Sequence, residues 1–154
     1  MEIVVRRAAA VDAPALARLR WRWRVEERGE IGAMDRESFV DFLTTWTLDH
    51  AGRHLPFLAE ADGQLVGMAW LSLTERVPSA HDLDRRTGDI QSVYVVPEFR
   101  RHGLGARLIA AIVAHARDIE LVFLTVHSAV EAIGFYEELG FVHNGQWLDY
   151  QLDR

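Results

Sequence analysis

The chain has no cysteine among its 154 residues. That excludes disulfides, thiolate metal sites and any cysteine nucleophile. Lysine is absent too: all 17 basic residues are arginine, and asparagine occurs only at Asn144. This skew reads as the codon bias of a GC-rich, bacterial genome rather than as chemistry. No apolar stretch reaches the roughly 18 residues that span a bilayer. Met1–Arg7 lacks the charged, apolar and cleavage order of a secretory signal, so the expectation is a cytoplasmic protein with no membrane partner. Positive charge is in deficit, with a net charge of −6, which argues against a nucleic-acid-binding surface. Repeats, low-complexity segments and linkers are missing, so residues 1–154 read as one domain.

What is present is ordinary globular material. The apolar fraction is 49%, and the length suffices for one core. Residues 3–7 read as a first strand. Asp12 is placed to cap a helix entering at Ala13-Pro14, with Leu16, Leu19, Trp23 and Val25 inward and Arg18, Arg20, Arg22 and Arg24 on the remaining surface, until Gly29 and Gly32 break it. Asp35 caps a second helix, with Phe39, Phe42, Leu43 and Trp46 on its apolar face. Residues 57–60 and 65–71 form a hairpin around Asp62-Gly63, and Arg76 to Gly88 reads as loop. Asp89 to Val96 is a strand, and a helix after Gly103 runs to about Arg117. Leu121 to Val126 is a strand apolar on both faces. Ala129 to Glu138 is a short helix ended by Gly140, and Phe141–His143 and Gln146–Leu152 form a closing hairpin around Asn144-Gly145. The order is β-α-α-β-β-β-α-β-α-β-β, a mixed α/β chain.

The most informative stretch is Arg100-Arg101-His102-Gly103-Leu104-Gly105-Ala106, between the apolar strand Val93-Tyr94-Val95-Val96 and an amphipathic helix. A strand, a glycine-bearing turn and a helix start together form an anion cradle. Glycine lets backbone approach a phosphate, and the first free N–H groups of the helix point at it. The spacing R-x-x-G-x-G matches neither of the two common nucleotide-binding signatures.

The run from Val93 to Gly105 resembles the acetyl-CoA signature of the GNAT superfamily of N-acetyltransferases. Phe135-Tyr136-Glu137-Glu138-Leu139-Gly140-Phe141 resembles that family's C-terminal motif, in the right order and at a fitting distance. The resemblance implies a single-domain GNAT fold: a mixed, mostly antiparallel sheet whose fourth and fifth strands splay apart, with helices on both faces. It implies acetyl-CoA as the acyl-donor substrate. Its pyrophosphate would sit on the backbone of Arg101, His102, Gly103, Leu104, Gly105 and Ala106, with Arg100 or Arg101 adding charge. Its pantetheine arm would pair with the backbone of Val93, Tyr94 and Val95, and the N–H of Val95 would polarise the thioester carbonyl. Tyr136 matches the position whose phenol serves as general acid to the departing thiolate.

The general base carries no motif. Glu26, Glu27 and Glu30, between the first two helices, are candidates, as are Asp89 and a water chain. Ser128-x-x-Glu131 reads as a capping box. Ala129 stands where many family members carry a CoA-contacting asparagine, so Ser128 would replace that contact. Gly134 would admit the cofactor or a neighbouring strand. His50 and His54 have a metal-compatible spacing but no third ligand, so no metal is expected. His127 lies beside the cofactor gap. Trp21, beside the glutamates, would suit a cationic amine with apolar bulk. The expected activity is direct transfer of acetyl to a primary amine, on a small molecule or peptide, in a ternary complex. The alternatives are a non-catalytic acyl-CoA-binding sensor or interaction domain and a phosphate binder unrelated to CoA. The family's habit of pairing makes a homodimer possible, with Trp147–Leu152 taking part.

Overall fold

The computed structural model describes all residues, 1–154. Four strands pair antiparallel in chain order: β1 (Ile3–Arg7), β2 (His54–Ala61), β3 (Gln64–Arg76) and β4 (Arg85–Val95). β5 (Leu124–Val126) adds parallel to β4. The β2–β3 turn places Asp62 and Gly63 at positive φ, 49° and 81°, the conformation in which a two-residue turn matches strand twist.

Each face of this sheet is covered. On one side lies α3 (Leu104–Asp118), whose Leu108, Ile109 and Ile112 are buried against the sheet. Gly67 on β3 lets that helix approach: a Cβ there would meet the Tyr94 carbonyl at 3.3 Å and Leu108 at 3.4 Å. On the other side α1 (Ala13–Trp21) buries Leu16 and Leu19 and packs against α2 (Arg36–Asp49). The Asp35 carboxylate caps α2 by accepting from the Ser38 N–H at 2.8 Å. α4 (Ile133–Glu138) follows β5 and buries Tyr136.

Two irregularities position the cleft. The β3–β4 register passes from Met68↔Tyr94 to Trp70↔Gln91, so Ser92 and Val93 together oppose Ala69. Ser92 takes φ 55° to make this bulge. Gln91 and Tyr94 consequently share the α1–α2 face. Further, β5 pairs only with Gly88, Asp89 and Ile90. Beyond Ile90 the outer edge of β4 has no strand partner, and the sheet opens there.

Several elements depart from the sequence-based expectation. α1 runs on into a π-helical turn, Arg22–Glu27, where the Arg28 N–H donates to the Trp23 carbonyl five residues back. Asp12 does not cap α1. Its carboxylate accepts from the Ala9 N–H at 2.7 Å and from the Arg6 guanidinium at 2.8 and 3.0 Å, closing a preceding 3-10 turn. The buried residues of α2 are Val40 and Thr47, whereas Phe42 is 56% exposed. The stretch expected as loop is partly strand, because β3 and β4 keep their register out to Arg76↔Arg85. β5 has three residues rather than six. Ser128 does not form a capping box: its hydroxyl donates to the Ala129 carbonyl at 3.1 Å, and the helix opens with a 3-10 turn, Val130–Ala132. No strand approaches Gly134, where an added Cβ would meet nothing within 4 Å. The closing hairpin is absent. Asn144 does make a turn, its side chain accepting from Gln146 N–H at 3.0 Å, but the flanking residues pair with nothing.

Candidate active site

The opening between β4 and β5 is a cleft of about 660 Å³. One wall is β4 from Asp89 to Val95, and the other is Val126 to Ala129 with Ala132 and Tyr136. The π-helical turn covers one end with Trp23 and Glu27.

At the far end of β4 the chain passes through a 3-10 turn, Pro97–Phe99, into the loop before α3. Arg101 and Gly103 take positive φ, 64° and 74°, so successive peptide N–H groups turn to one side. The six N–H groups from Arg101 through Ala106 have no acceptor within the protein, while Arg100 N–H donates to Pro97 and Arg107 N–H to Gly103. These are the orphan donors of a helix start, extended backwards by three residues. Gly105 packs against Phe135, where a Cβ would sit at 3.4 Å. The loop and the C-terminal motif therefore touch.

The two arginines of the loop separate. Arg101 is exposed and makes no ion pair. Arg100 turns back: its Nε donates to the Val95 carbonyl at 2.9 Å and its terminal NH2 reaches Glu27 at 2.7 Å. The other Glu27 oxygen accepts from the Tyr94 hydroxyl at 2.5 Å, and the Tyr94 ring stacks on Trp23 at 5.2 Å. This clamp ties the π-helical turn to β4. Tyr94 and then Arg100 hold the Glu27 carboxyl below its ordinary range. Burial, followed by the Glu27 bond, pushes the Tyr94 phenol up to about 12.

The remaining candidates spread out. Tyr136 is 8% exposed, its ring edge-on to Phe135 at 5.0 Å and Phe141 at 5.5 Å, and burial raises its pKa. Its hydroxyl has no protein partner. Val93 and Val95 line the cleft, and Ser128 lies across it. Asp89 accepts from the Thr125 hydroxyl at 2.6 Å and from Gln91 at 3.0 Å at the point where β4 and β5 part. Glu26 is exposed and does not line the cleft, and Glu30 pairs with Arg24 at 2.7 Å. The imidazoles of His50 and His54 both pack on Trp46, and His50 Nδ1 bonds the Trp46 carbonyl at 2.7 Å. The Glu27–Tyr94–Arg100 clamp was missed from sequence. The W-x-W-x-V-E-E run was the available signal, since the i, i+4 spacing puts Trp23 and Glu27 on one helical face, but their shared partner Tyr94 lies about 70 residues away.

The acetyltransferase (GNAT) family profile matches residues 15–141. A mycothiol acetyltransferase of Salinispora tropica is 36% identical over 132 residues, covering 82% of this chain and 39% of that protein. A second one, from Thermobispora bispora, is 34% identical over 123 residues, 71% of this chain and 41% of its own length. The chain thus spans about two fifths of the length of these curated relatives. Among solved structures, a probable acetyltransferase superimposes with TM-score 0.78 at 26% identity, covering 100% of this chain and 98% of the other. No helix is long and apolar enough to cross a membrane.

Proposed function

The chain belongs to the acetyltransferase (GNAT) family, the acetyl-CoA-dependent N-acetyltransferases, and from that premise we propose that it moves acetyl directly from acetyl-CoA to a primary amine with both substrates bound. The observation that carries this reading is the row of six unpartnered N–H groups from Arg101 to Ala106, at the end of a strand whose outer edge is open. That combination fits a pyrophosphate followed by an amide-bearing arm. Arg101, exposed at the loop, supplies the charge. Arg100 does not, because Val95 and Glu27 occupy it.

Acetyl-CoA supplies an activated thioester. Tyr136 stands on the cleft wall with its hydroxyl uncommitted, and its raised pKa keeps the proton on at neutral pH. We assign it a hydrogen bond to the leaving sulfur as negative charge develops there. Glu27 is a poor base, since the Tyr94 hydroxyl and the Arg100 cation together hold its carboxyl below the ordinary range. Its role is to position the π-helical turn against β4. Glu26 lies outside the cleft, whereas Asp89 lines it with two neutral donors, Thr125 and Gln91, and no cation; directly or through water, it takes the proton of the amine.

The test is release of free CoA thiol from acetyl-CoA across a panel of amines and peptides. Amine-dependent release, reduced in Tyr136→Phe, supports the reading. Retained acetyl-CoA binding with no release from any amine would overturn it in favour of an acyl-CoA sensor.

A further inference from the structure

On the far side of the β4 bulge, between the α1–α2 pair and the sheet, lies a second cavity of about 230 Å³. Leu43, Trp46, His54 and Trp70 form its walls, with Phe42 among them. Gln91 and Ser92 line both this cavity and the cleft, so the two meet at the bulge.

The charge in this cavity is the opposite of that expected from the neighbouring glutamates. Glu27 is taken by Tyr94 and Arg100, and Glu30 by Arg24, and neither lines it. Arg20 does. The α1 pattern placed Arg20 on the solvated surface, yet it is part-buried and has no carboxylate within ion-pair distance. Its single hydrogen bond goes to the Ser92 hydroxyl at 2.7 Å, and its guanidinium lies over the Trp23 ring at 5.7 Å, a contact that leaves its charge unneutralised. A guanidinium has five N–H donors, and arginines removed from water are normally paired. Burial, aided by Arg24 and opposed by Glu30, draws its pKa below the ordinary value.

Trp70, in the same wall, carries a second unfilled donor, buried behind the cavity surface. Trp70 is 7% exposed, and its indole N–H is buried without an acceptor. Such orphaned donors are rare, and each needs a reason. His54 is held below its usual pKa by burial, then by His50 and Arg53, so it is neutral here and brings no competing charge. One cavity therefore offers a cation that no carboxylate neutralises and two indole surfaces, and no carboxylate of its own.

We propose that this cavity anchors the acceptor and takes a carboxylate: the amine substrate is an amino acid or another amine bearing a carboxylate, which docks on Arg20 while the amine reaches the cleft past Gln91 and Ser92. This rests on the acetyl-transfer reading above. Arg20 acts in binding only. Arginine matches a carboxylate in a two-pronged geometry that a carboxamide cannot reproduce, and Trp46 and Trp70 contact the apolar remainder of the ligand.

The experiment compares L-amino acids with their own carboxamides as acceptors, with thiol release as the readout. Rates are set against the concentration of free amine, because amidation lowers the amine pKa. The acid is expected to exceed its amide in kcat/KM by about tenfold or more, the range of a hydrogen bond to a charged group. The gain should lie in KM. In Arg20→Gln the preference collapses towards one, and Arg20→Lys recovers part of it. Amides equal to or better than acids in the unmodified protein would overturn the proposal, whatever the variants do. So would an undiminished preference in folded Arg20→Gln. Acetylation of amines without acid preference removes the proposal and leaves the transferase standing. If no amine is acetylated, the same compounds are titrated against tryptophan fluorescence. A saturable change with acids alone, lost in Arg20→Gln, supports the anchor, and its absence overturns it.

Discussion

The two flanks of β4 are built from different chemical material. Towards α3, the donors are peptide N–H groups of six consecutive residues, Arg101 to Ala106. Towards α1 and α2, the groups around the second cavity are side chains from α1, α2, β2, β3 and β4, brought together from positions 20 to 92. A backbone cradle is written in one short run, because local conformation alone creates it. A side-chain pocket exists only once the helices have docked. The first can bind one invariant ligand, and the second can be re-specified residue by residue. On our reading this is the division between a constant acyl donor and a variable acceptor.

The sharpest test of that division strikes the seam between the flanks. Tyr136→Phe keeps the ring that packs on Phe135 and Phe141 and deletes a hydroxyl with no protein partner. Stability should change little. The expected loss is in kcat, about a hundredfold, the lower range for a removed general acid. KM for acetyl-CoA and for the amine should stay near their original values. Steady-state kinetics with either substrate varied would check this, and a loss expressed in KM alone would remove Tyr136 from the chemistry.

Next in size is Gly103→Val, which strikes the donor flank alone. Gly103 has φ 74°, and a β-branched residue is strained there by about 1–3 kcal/mol. The space around it is open, so the cost is conformational rather than steric. The loop relieves the strain by turning N–H groups away from their common side. Affinity for acetyl-CoA should fall about tenfold, equivalent to about 1.4 kcal/mol, with the acceptor KM unmoved. Calorimetric titration with CoA separates the two. Equal losses for both substrates would mean that the flanks are not independent.

How far each flank could be read in the sequence follows the same division. The strand, turn and helix around Arg100–Ala106 were legible because apolar periodicity and glycine position are local signals. So was the Asp35 cap. The π-helical turn was not. It differs from an α-helical continuation by about one residue per turn, a difference that apolar spacing does not mark. Arg20 was misplaced for a related reason: helix periodicity gives the apolar face of α1, not whether a groove lies beside its polar edge. The Asn144-Gly145 turn was legible, whereas the strands expected around it did not form. A turn needs only its own residues, but a strand needs an edge, and β5 is three residues long. Leu148 at 94% and Tyr150 at 85% exposure are the result.

The clamp joining the flanks has an acid limit. The Glu27 carboxyl is held below its ordinary range by Tyr94 first and Arg100 second. A depressed folded pKa contributes stability that is complete above the unfolded value, about 4.3, and is lost as pH falls through the folded one. Asp12, lowered chiefly by Arg6, loses its contribution in the same window. Glu27→Gln keeps an acceptor for Tyr94 and removes the charge opposite Arg100. At neutral pH it should cost about 1 kcal/mol or less, as a partly solvated ion pair does. The gap in melting temperature between the two proteins should shrink as pH falls below about 4. A gap that widens instead would show that the carboxyl is not ionised in the clamp.

The smallest effect is spectroscopic and reads the clamp from its other end. The Tyr94 phenol is pushed up to about 12, by burial first and by the Glu27 bond second. A raised folded pKa contributes stability that is complete below the unfolded value, about 10, and is lost as pH rises through the folded one. The chain has three tyrosines, and Tyr150 is largely exposed while Tyr136 is also raised by burial. In an ultraviolet titration of tyrosinate the highest component should therefore disappear in Tyr94→Phe. In Glu27→Gln it should move down without reaching 10, because the carboxylate's pull is gone but burial remains. That residual separates the two causes. A full return to 10 would mean that the ring has left its stack on Trp23. The π-helical turn would then be held to this side of the sheet by charge pairs without the aromatic stack: Glu27 with Arg100, and Arg22 with Glu98 at 2.8 Å.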